Sequence, residues 1–253
     1  MKVYNICFSP TGGTKKVADI VVNGLYEKSE FIDLTRNDII FDNIIIKSDD
    51  VAVISVPSYG GRVPEIAIKR IMNLKGNGAK TILVCVYGNR AYEDTLIELQ
   101  DTAVNIGFNV VAGVCAIAEH SIARCYATGR PDKQDKNTLN EFVKKIKEKL
   151  CSDDLNNAQL KGNRPYKNFS GVSMTPKATN KCNKCGLCAE KCPVSAIDVN
   201  NPKNVDSKKC ISCMRCVSIC PQSSRKVNKV LLSAASLALK KVCSERKECE
   251  LFI

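Results

Sequence analysis

The sequence predicts an α/β protein, a doubly wound, five-stranded parallel sheet followed by a small cysteine-rich module. Within residues 1–150, short β-branched runs alternate with longer amphipathic segments, the pattern of strands connected by helices. Residues 50–56 and 81–86 are nearly continuous apolar runs, as expected of strands buried on both faces of a parallel sheet. Eight of the fifteen cysteines lie between Cys182 and Cys220, so we expect the second module to be built around them.

The predicted elements follow one another in a regular order. Strands are predicted over residues 2–8, 30–34, 50–56, 80–86 and 108–118. Helices are predicted over residues 14–27, 64–73, 93–106 and 135–150. Five such strands fit the sheet order 2-1-3-4-5 of one doubly wound class, in which ligands bind beyond the carboxyl ends of the strands.

The chain of 253 residues is long enough for one medium α/β domain and a small second unit. We expect four segments: a ligand-binding domain over 1–150, a linker over 151–178, a cysteine-rich domain over 179–223, and a docking helix with its tail over 224–253. No apolar run approaches the roughly 20 residues that span a bilayer. The N-terminus also lacks a signal peptide's apolar stretch and cleavage site, so we expect a cytoplasmic protein.

Three loops at the carboxyl ends of strands 1, 3 and 4 carry residue types that suit ligand binding. Residues 9–14, Ser-Pro-Thr-Gly-Gly-Thr, run into a helix, where small hydroxyls and backbone N–H groups can hold an anion. The alternative for this loop is an ordinary helix cap at Thr14. Residues 57–64 and 87–94 combine glycines, which let the backbone approach a planar ligand, with tyrosines that can stack on it.

In these three loops the sequence resembles the flavodoxins. The resemblance implies FMN, with its phosphate in the first loop and its isoalloxazine ring between the other two. The implied FMN-binding residues are Ser9, Thr11, Gly12, Gly13, Thr14, Pro57, Ser58, Tyr59, Gly60, Gly61, Arg62, Val63, Tyr87, Gly88, Asn89, Arg90 and Tyr92. Many flavodoxins stack a tryptophan on the flavin; this chain has none, so Tyr59 and Tyr92 are the expected substitutes. The resemblance also implies that the Gly60–Gly61 peptide flips to hydrogen-bond the reduced flavin.

His120 is the only histidine in the chain and follows the fifth predicted strand. A single histidine near a strand end is most often structural or solvated. Because this loop leaves the same sheet edge as the other three, His120 is also a candidate catalytic residue, as a hydrogen-bond donor or proton source near the flavin.

The strongest signal is a cysteine motif repeated at an offset of 28 residues. Residues 182–193 and 210–221 both follow C-x2-C-x2-C-x3-C-P, which resembles the bacterial two-cluster ferredoxins. The resemblance implies two [4Fe–4S] clusters, with the fourth cysteine of each motif bound to the other cluster. Cluster 1 would be held by Cys182, Cys185, Cys188 and Cys220, and cluster 2 by Cys210, Cys213, Cys216 and Cys192. The alternative is a pair of zinc sites, but these usually present two cysteine knuckles separated by a longer stretch.

Over nearly its full length the chain resembles the EFR-type family of flavodoxin–ferredoxin fusion proteins. The match is carried by the three loops, residues 119–121, residues 129–131 and both cysteine motifs. The resemblance implies electron transfer between FMN, the two clusters and an external redox partner. Two alternatives stay open: a flavin-dependent reductase of a small molecule, with His120, Arg62 and Arg90 as substrate contacts, and a redox sensor without turnover.

The net charge of +12 is concentrated in the cysteine-rich half. Residues 151–253 hold 18 Lys and Arg against 8 Asp and Glu, whereas residues 1–150 hold 20 against 18. No nucleic-acid recognition motif accompanies this charge, so we expect the partner to be an acidic redox protein rather than a nucleic acid. The basic residues interleaved with the cluster ligands are Lys181, Lys184, Lys191, Lys208, Lys209 and Arg215.

Overall fold

The computed structural model describes residues 1–152, 158–168 and 174–253. Its main sheet contains the five predicted parallel strands, in the order β2-β1-β3-β4-β5. Their bounds are β1 Val3–Cys7, β2 Glu30–Asp33, β3 Val51–Pro57, β4 Lys80–Tyr87 and β5 Asn109–Ile117. This is the flavodoxin-like order, and the predicted fold class is therefore confirmed.

Helices cover the sheet and complete its core. They are α1 Gly13–Leu25, α2 Glu65–Ile71, α3 Thr95–Asn105 and α4 Lys133–Cys151. Helix α1 packs against α4, and α2 packs against α3. Ile6, Ile54 and Leu83, in the three central strands, are fully buried, because helices leave no solvent-facing side to these strands.

The tail of the chain adds a sixth strand that the sequence does not predict. Strand β8 (Glu250–Phe252) pairs antiparallel with β5, with Leu251 opposite Val114. The main-chain N–H of Ala158 donates to the carbonyl of Val110 at 3.1 Å. The outer edge of β5 is thus covered by the linker at one point and by the tail at another.

The cysteine-rich module has little regular structure. It contains β6 (Lys177–Ala178), α5 (Leu187–Glu190), α6 (Arg215–Ser218) and β7 (Arg225–Lys226), and β6 pairs with β7. Of the predicted linker, residues 153–157 and 169–173 lie outside the described residues. Within residues 1–152, 158–168 and 174–253, no helix is long and apolar enough to cross a membrane.

The predicted docking helix is present as α7 (Lys229–Cys243). Its apolar residues do not form a buried face, because Val230 and Leu237 are 76% and 72% exposed and only Cys243 is buried. Tyr126 donates a hydrogen bond from its hydroxyl to the carbonyl of Ser236 in this helix. Most of the polar contacts with the first domain come from the segment after the helix.

A buried polar cluster fastens that segment to the first domain. The Nδ2 of Asn89 donates to the carbonyls of Cys243 and Glu245, both at 2.7 Å. Arg130 and Asp135 form a fully buried ion pair at 2.5 Å, and Asp135 also accepts from Arg246 at 3.1 Å. One carboxylate therefore balances a buried guanidinium and anchors the tail.

Replacing Asp135 should test the importance of this cluster. Asp135→Ala leaves Arg130 buried without its counter-charge, so we expect the free energy of unfolding to fall by about 3–5 kcal/mol. Urea denaturation of the purified protein measures this change. Glu141→Ala, which breaks an exposed ion pair with Lys144 on the same helix, is the control and should change stability little. Equal effects of the two substitutions would contradict the prediction.

Candidate functional site

A cavity of about 700 Å³ lies at the carboxyl ends of β1, β3, β4 and β5. This volume is typical of a small-molecule or cofactor site. The predicted site residues that line it are Thr11, Gly13, Thr14, Pro57, Ser58, Tyr59, Gly60, Arg62, Val63, Tyr87, Gly88 and His120. The structure therefore brings residues of all three predicted loops, together with the candidate histidine, to one cavity.

The first loop leads into the N-terminus of α1. Gly12 is the residue before the helix, with a left-handed φ of 89°, and has no side chain that could cap it. The first turn contains no acidic residue. The Ser9 hydroxyl accepts from the Lys15 N–H, and the helix terminus, with small hydroxyl residues beside it, suits an anion such as a phosphate group.

The second loop forms a tight turn at the cavity wall. Tyr59 and Arg62 exchange backbone hydrogen bonds of 2.9 and 3.2 Å around Gly60 and Gly61. Both glycines have positive φ, 60° and 90°, as a type I′ turn requires. Burial raises the pKa of Tyr59 well above its usual value, so its hydroxyl stays protonated while its ring remains partly exposed to the cavity.

Several predicted residues lie near the cavity but not on its surface: Ser9, Gly12, Gly61, Asn89, Arg90 and Tyr92. The Ser9 hydroxyl accepts from the N–H of Lys15 at 2.9 Å, which ties the loop to α1. A Cβ on Gly61 would clash with Glu93, and Arg90 pairs with the same Glu93 at 2.8 Å.

Two of these residues, Asn89 and Tyr92, form hydrogen bonds with the C-terminal segment and do not line the cavity. Asn89 is 3% exposed and donates to the carbonyls of Cys243 and Glu245. Tyr92 packs edge-on against Tyr87, with ring centroids 5.5 Å apart, and donates its hydroxyl to Glu250 at 3.1 Å. The same loop thus presents Tyr87 and Gly88 to the cavity and Asn89 and Tyr92 to the tail.

His120 packs against Gly88, where an added Cβ would come within 2.6 Å of the imidazole ring. Its Nδ1 accepts from the N–H groups of Ile122 at 3.2 Å and Ala123 at 3.0 Å. Burial, followed by the charge of Arg90, lowers the pKa of His120. Because Nδ1 is an acceptor, the proton of the neutral ring sits on Nε2.

The cysteine-rich module forms part of the wall of the cavity. Sequence patterns do not reveal this contribution. Ser207, Lys208, Cys210, Ile211 and Ser212 contribute to its lining. These residues are about 85 or more positions from the nearest first-domain loop at the site. Only the basic residue type of Lys208 and the ligand motif at Cys210 mark this segment in the sequence.

Direct contacts fix the two modules together on this side. The Arg70 guanidinium donates to the carbonyls of Leu34 and Pro193, both at 2.6 Å. Asn37 donates to the carbonyl of Cys192 at 3.1 Å, and Arg215 donates to the carbonyl of Pro10 at 3.3 Å. The contacts with Pro193, Cys192 and Arg215 join the first domain to the part of the module that contains the second cysteine set.

The eight motif cysteines are gathered in two sets. One small cavity is lined by Cys182, Cys185, Cys188 and Cys220. A second is lined by Cys192, Cys210, Cys213 and Cys216. Each set combines three cysteines of one motif with the fourth of the other. Among the described residues, no three Cys, His, Asp or Glu side chains are placed to hold a single metal ion.

The 28-residue repeat extends to the backbone. Lys184 and Ser212, which precede the second cysteine of each motif, have φ of 60° and 52°. Gly186 and Met214, which follow it, have φ of 80° and 61°. Alternation of left-handed residues turns successive N–H groups inward and makes an anion-binding concavity, which suits a negatively charged group held by thiolates.

The environments of the cysteine thiols differ within this pair of sets. Burial raises the pKa of Cys213 and of Cys216 to about 12. Burial alone would raise the pKa of Cys220, but hydrogen bonds from Ser224 at 3.2 and 3.3 Å and from the N–H groups of Arg225 and Gln222 together outweigh it and lower the pKa. Cys243 and Cys249, outside the motifs, are buried near the tail and line neither small cavity.

Comparison with known proteins supports this division of the chain. Residues 176–221 match the family model of the 4Fe-4S dicluster domain. Among curated proteins, none matches the sequence.

The solved structures that resemble part of this chain include flavodoxins. A flavodoxin from the domain Archaea is 16% identical, with a TM-score of 0.41, over 60% of this chain and 100% of that chain. Flavodoxin 1 from Bacillus cereus is 15% identical, with a TM-score of 0.40, over 58% and 98% of the two chains. The flavodoxin of Streptococcus pneumonia TIGR4 is 18% identical, with a TM-score of 0.39, over 58% and 97%.

The fold assignment itself rests on the strand order. The chain joins a flavodoxin-like domain to a 4Fe-4S dicluster domain. The dicluster domain indicates an iron–sulfur protein.

The protonation state of His120 can be tested directly, because the chain has no other histidine. With a pKa below the usual value of about 6.5, the ring should be mostly neutral at pH 6.5, with its proton on Nε2. Stability from this neutral state is complete above pH 6.5 and is lost as the pH falls through the lowered pKa. Imidazole ¹⁵N NMR over a pH series measures both properties. A ring half-protonated at or above pH 6.5 would contradict the prediction.

Proposed function

We propose that this protein is an electron carrier that binds FMN in the cavity and two [4Fe–4S] clusters in the cysteine sets, and exchanges electrons with an external redox protein. The observation that carries the proposal is that the segment that contains Cys210 forms part of the wall of the cavity. When bound, FMN handles one or two electrons and each cluster handles one. We also propose that the chain belongs to the EFR-type flavodoxin–ferredoxin family.

The chain's own residues fit an FMN molecule. Thr11, Gly13 and Thr14 would bind the phosphate at the N-terminus of α1. Tyr59 and Gly88 would face the isoalloxazine ring, with Tyr59 supplying an aromatic surface and Gly88 close backbone approach. Arg62 is neutralised by the buried Glu98 at 2.6 Å, so this part of the wall carries no unpaired charge.

The cysteine sets fit two cubanes placed in series from the cavity. Cys210, with Cys213, Cys216 and Cys192, would hold cluster 2 on the cavity side, where Asn37, Arg70 and Arg215 fix the module. Cys182, Cys185, Cys188 and Cys220 would hold cluster 1, and none of these four lines the large cavity. Cys185 is exposed, so an external protein can approach this side of the module.

An acidic redox protein is the partner that we propose for that side. Lys181 and Lys184 are exposed beside Cys182 and Cys185, and positive charge there would steer an acidic partner at a rate that salt reduces. Three of the other basic residues interleaved with the cluster ligands have different neighbours. Arg215 contacts Pro10, Lys191 pairs with Glu190, and Lys208 lines the cavity.

The reductase alternative depends on His120. Of its three predicted substrate contacts, Arg62 is paired with Glu98 and Arg90 lies off the cavity surface, paired with Glu93. His120 alone would present an N–H donor to a small molecule. Catalytic reoxidation of the reduced protein by small molecules would favour the reductase over the carrier, and no turnover with any donor would favour the sensor.

Cofactor content tests the proposal as a whole. Anaerobically reconstituted protein should contain one FMN, about eight irons and about eight sulfides per chain. Thr14→Val should weaken FMN binding by about 1.5–3 kcal/mol through loss of one hydrogen bond to a charged group, with unchanged iron. Thr128→Val, on an exposed hydroxyl outside the cavity, is the control. Bound zinc in place of iron, or no FMN, would overturn the corresponding half of the proposal.

Single cysteine substitutions test the crossed ligand sets. Cys220→Ala should damage the cluster held by residues 182–188, and Cys192→Ala should damage the cluster held by residues 210–216. Iron analysis and spectroscopy of the reduced variants identify which cluster is lost. Cys125→Ala, at an exposed cysteine outside both sets, should leave both clusters intact. Loss of the cluster nearest in sequence in each variant would show that the sets are not crossed.

A further inference from the structure

Arg225 is a fully buried cation in the cysteine-rich module. Its residue is 2% exposed, although it is among the largest side chains in the interior. Nη1 donates to the carbonyl of Pro176 at 3.3 Å, and Nη2 donates to the carbonyl of Pro202. Nη2 also lies 3.4 Å from the sulfur of Cys188. Within the described residues, Nε has no hydrogen-bond partner.

No carboxylate balances this charge. Within the described parts of the chain, Arg225 forms no ion pair. The buried Arg130, by contrast, pairs with the buried Asp135. A buried charge without a counter-ion costs several kcal/mol, and two carbonyls supply only partial compensation. The groups of opposite charge that remain close to it are the cysteine sulfurs.

Arg225 is placed to act on both cysteine sets. It lines the small cavity of the first set, where its contact is Cys188. Helix α6, which contains Cys216 of the second set, packs against strand β7, which contains Arg225. A [4Fe–4S]²⁺ core with four thiolates has a net charge of −2, so two such groups would surround the guanidinium with the missing negative charge.

We propose that Arg225 acts as a buried counter-charge that raises the reduction potentials of both clusters. The inference rests on the proposed function, since it requires the cysteine sets to hold clusters. Reduction adds one electron to a group that is already negative, and a nearby cation inside the protein favours that step more than a solvated one does. The hydrogen bond from Nη2 to Cys188 acts in the same direction on cluster 1.

A purely structural role would have different consequences. The contacts with Pro176 and Pro202 join distant parts of the module, so loss of the side chain alone could reduce cluster content. It would not move the potential of the clusters that still assemble. The potential therefore separates the electrostatic role from the structural one.

Anaerobic redox titration followed by EPR provides the test, with dithionite as the electron donor for the one-electron step from [4Fe–4S]²⁺ to [4Fe–4S]⁺. Arg225→Met removes the charge and keeps apolar bulk. We expect the equilibrium between reduced and oxidised cluster to move at least tenfold toward the oxidised form, a shift of at least 59 mV to lower potential. Lys226→Met, at the next residue and exposed, removes the same charge and should leave the potentials near those of the unaltered protein.

Two further variants keep the test decisive. Arg225→Lys retains the charge and should restore most of the potential. Arg225→Gln keeps a hydrogen-bond donor but no charge, and it replaces the Met variant if that protein does not assemble its clusters. Full iron content with unchanged potentials in the Met or Gln variant would overturn the proposed role of Arg225 and leave the proposed function standing. Absence of iron from the unaltered protein would instead overturn the proposed function.

Discussion

The attachment of the cysteine-rich module at both of its ends is the constraint on which the rest of the structure depends. On the N-terminal side of the module, the carboxylate of Asp94 accepts from the N–H groups of Asn163 and Lys167 at 2.8 and 2.6 Å. On its C-terminal side, the cluster around Asp135 and the pairing of β8 with β5 hold the tail. A module tied twice to one sheet has few positions available to it. The segment that contains Cys210 is therefore kept over the cavity.

Because of this double attachment, the first domain and the cysteine-rich module are held side by side in one molecule and need not meet by diffusion. Separate flavodoxins and ferredoxins must find one another, whereas here the sheet edge and the second cysteine set are joined by Arg70, Asn37 and Arg215. These three side chains donate to main-chain carbonyls of the other module, and Asn37 donates in addition to the hydroxyl of Ser195 at 3.3 Å. The geometry of the interface thus depends on the backbone path of the cysteine loops, which the ligands themselves would fix.

The sequence predicts those features that depend on local chemistry. Buried apolar runs define β3 and β4, and the cysteine spacing defines the two motif loops, because neighbouring residues determine both. The roles of Asn89 and Tyr92 could not be predicted in the same way. Polar and aromatic residues in a glycine-containing loop look alike whether they face a ligand or a segment more than 150 positions away. The sixth strand could not be predicted either, because three residues are too few to show the alternating pattern of a β-strand.

The pairing of β8 with β5 also has a consequence for biosynthesis. β5 is complete at Ile117, but its partner Leu251 emerges from the ribosome more than 130 residues later. At 5–20 residues per second, this leaves an apolar strand edge open for roughly 7–27 seconds. Such an edge can pair with other chains. The first domain thus completes its six-stranded sheet only after the entire cysteine-rich module has been made.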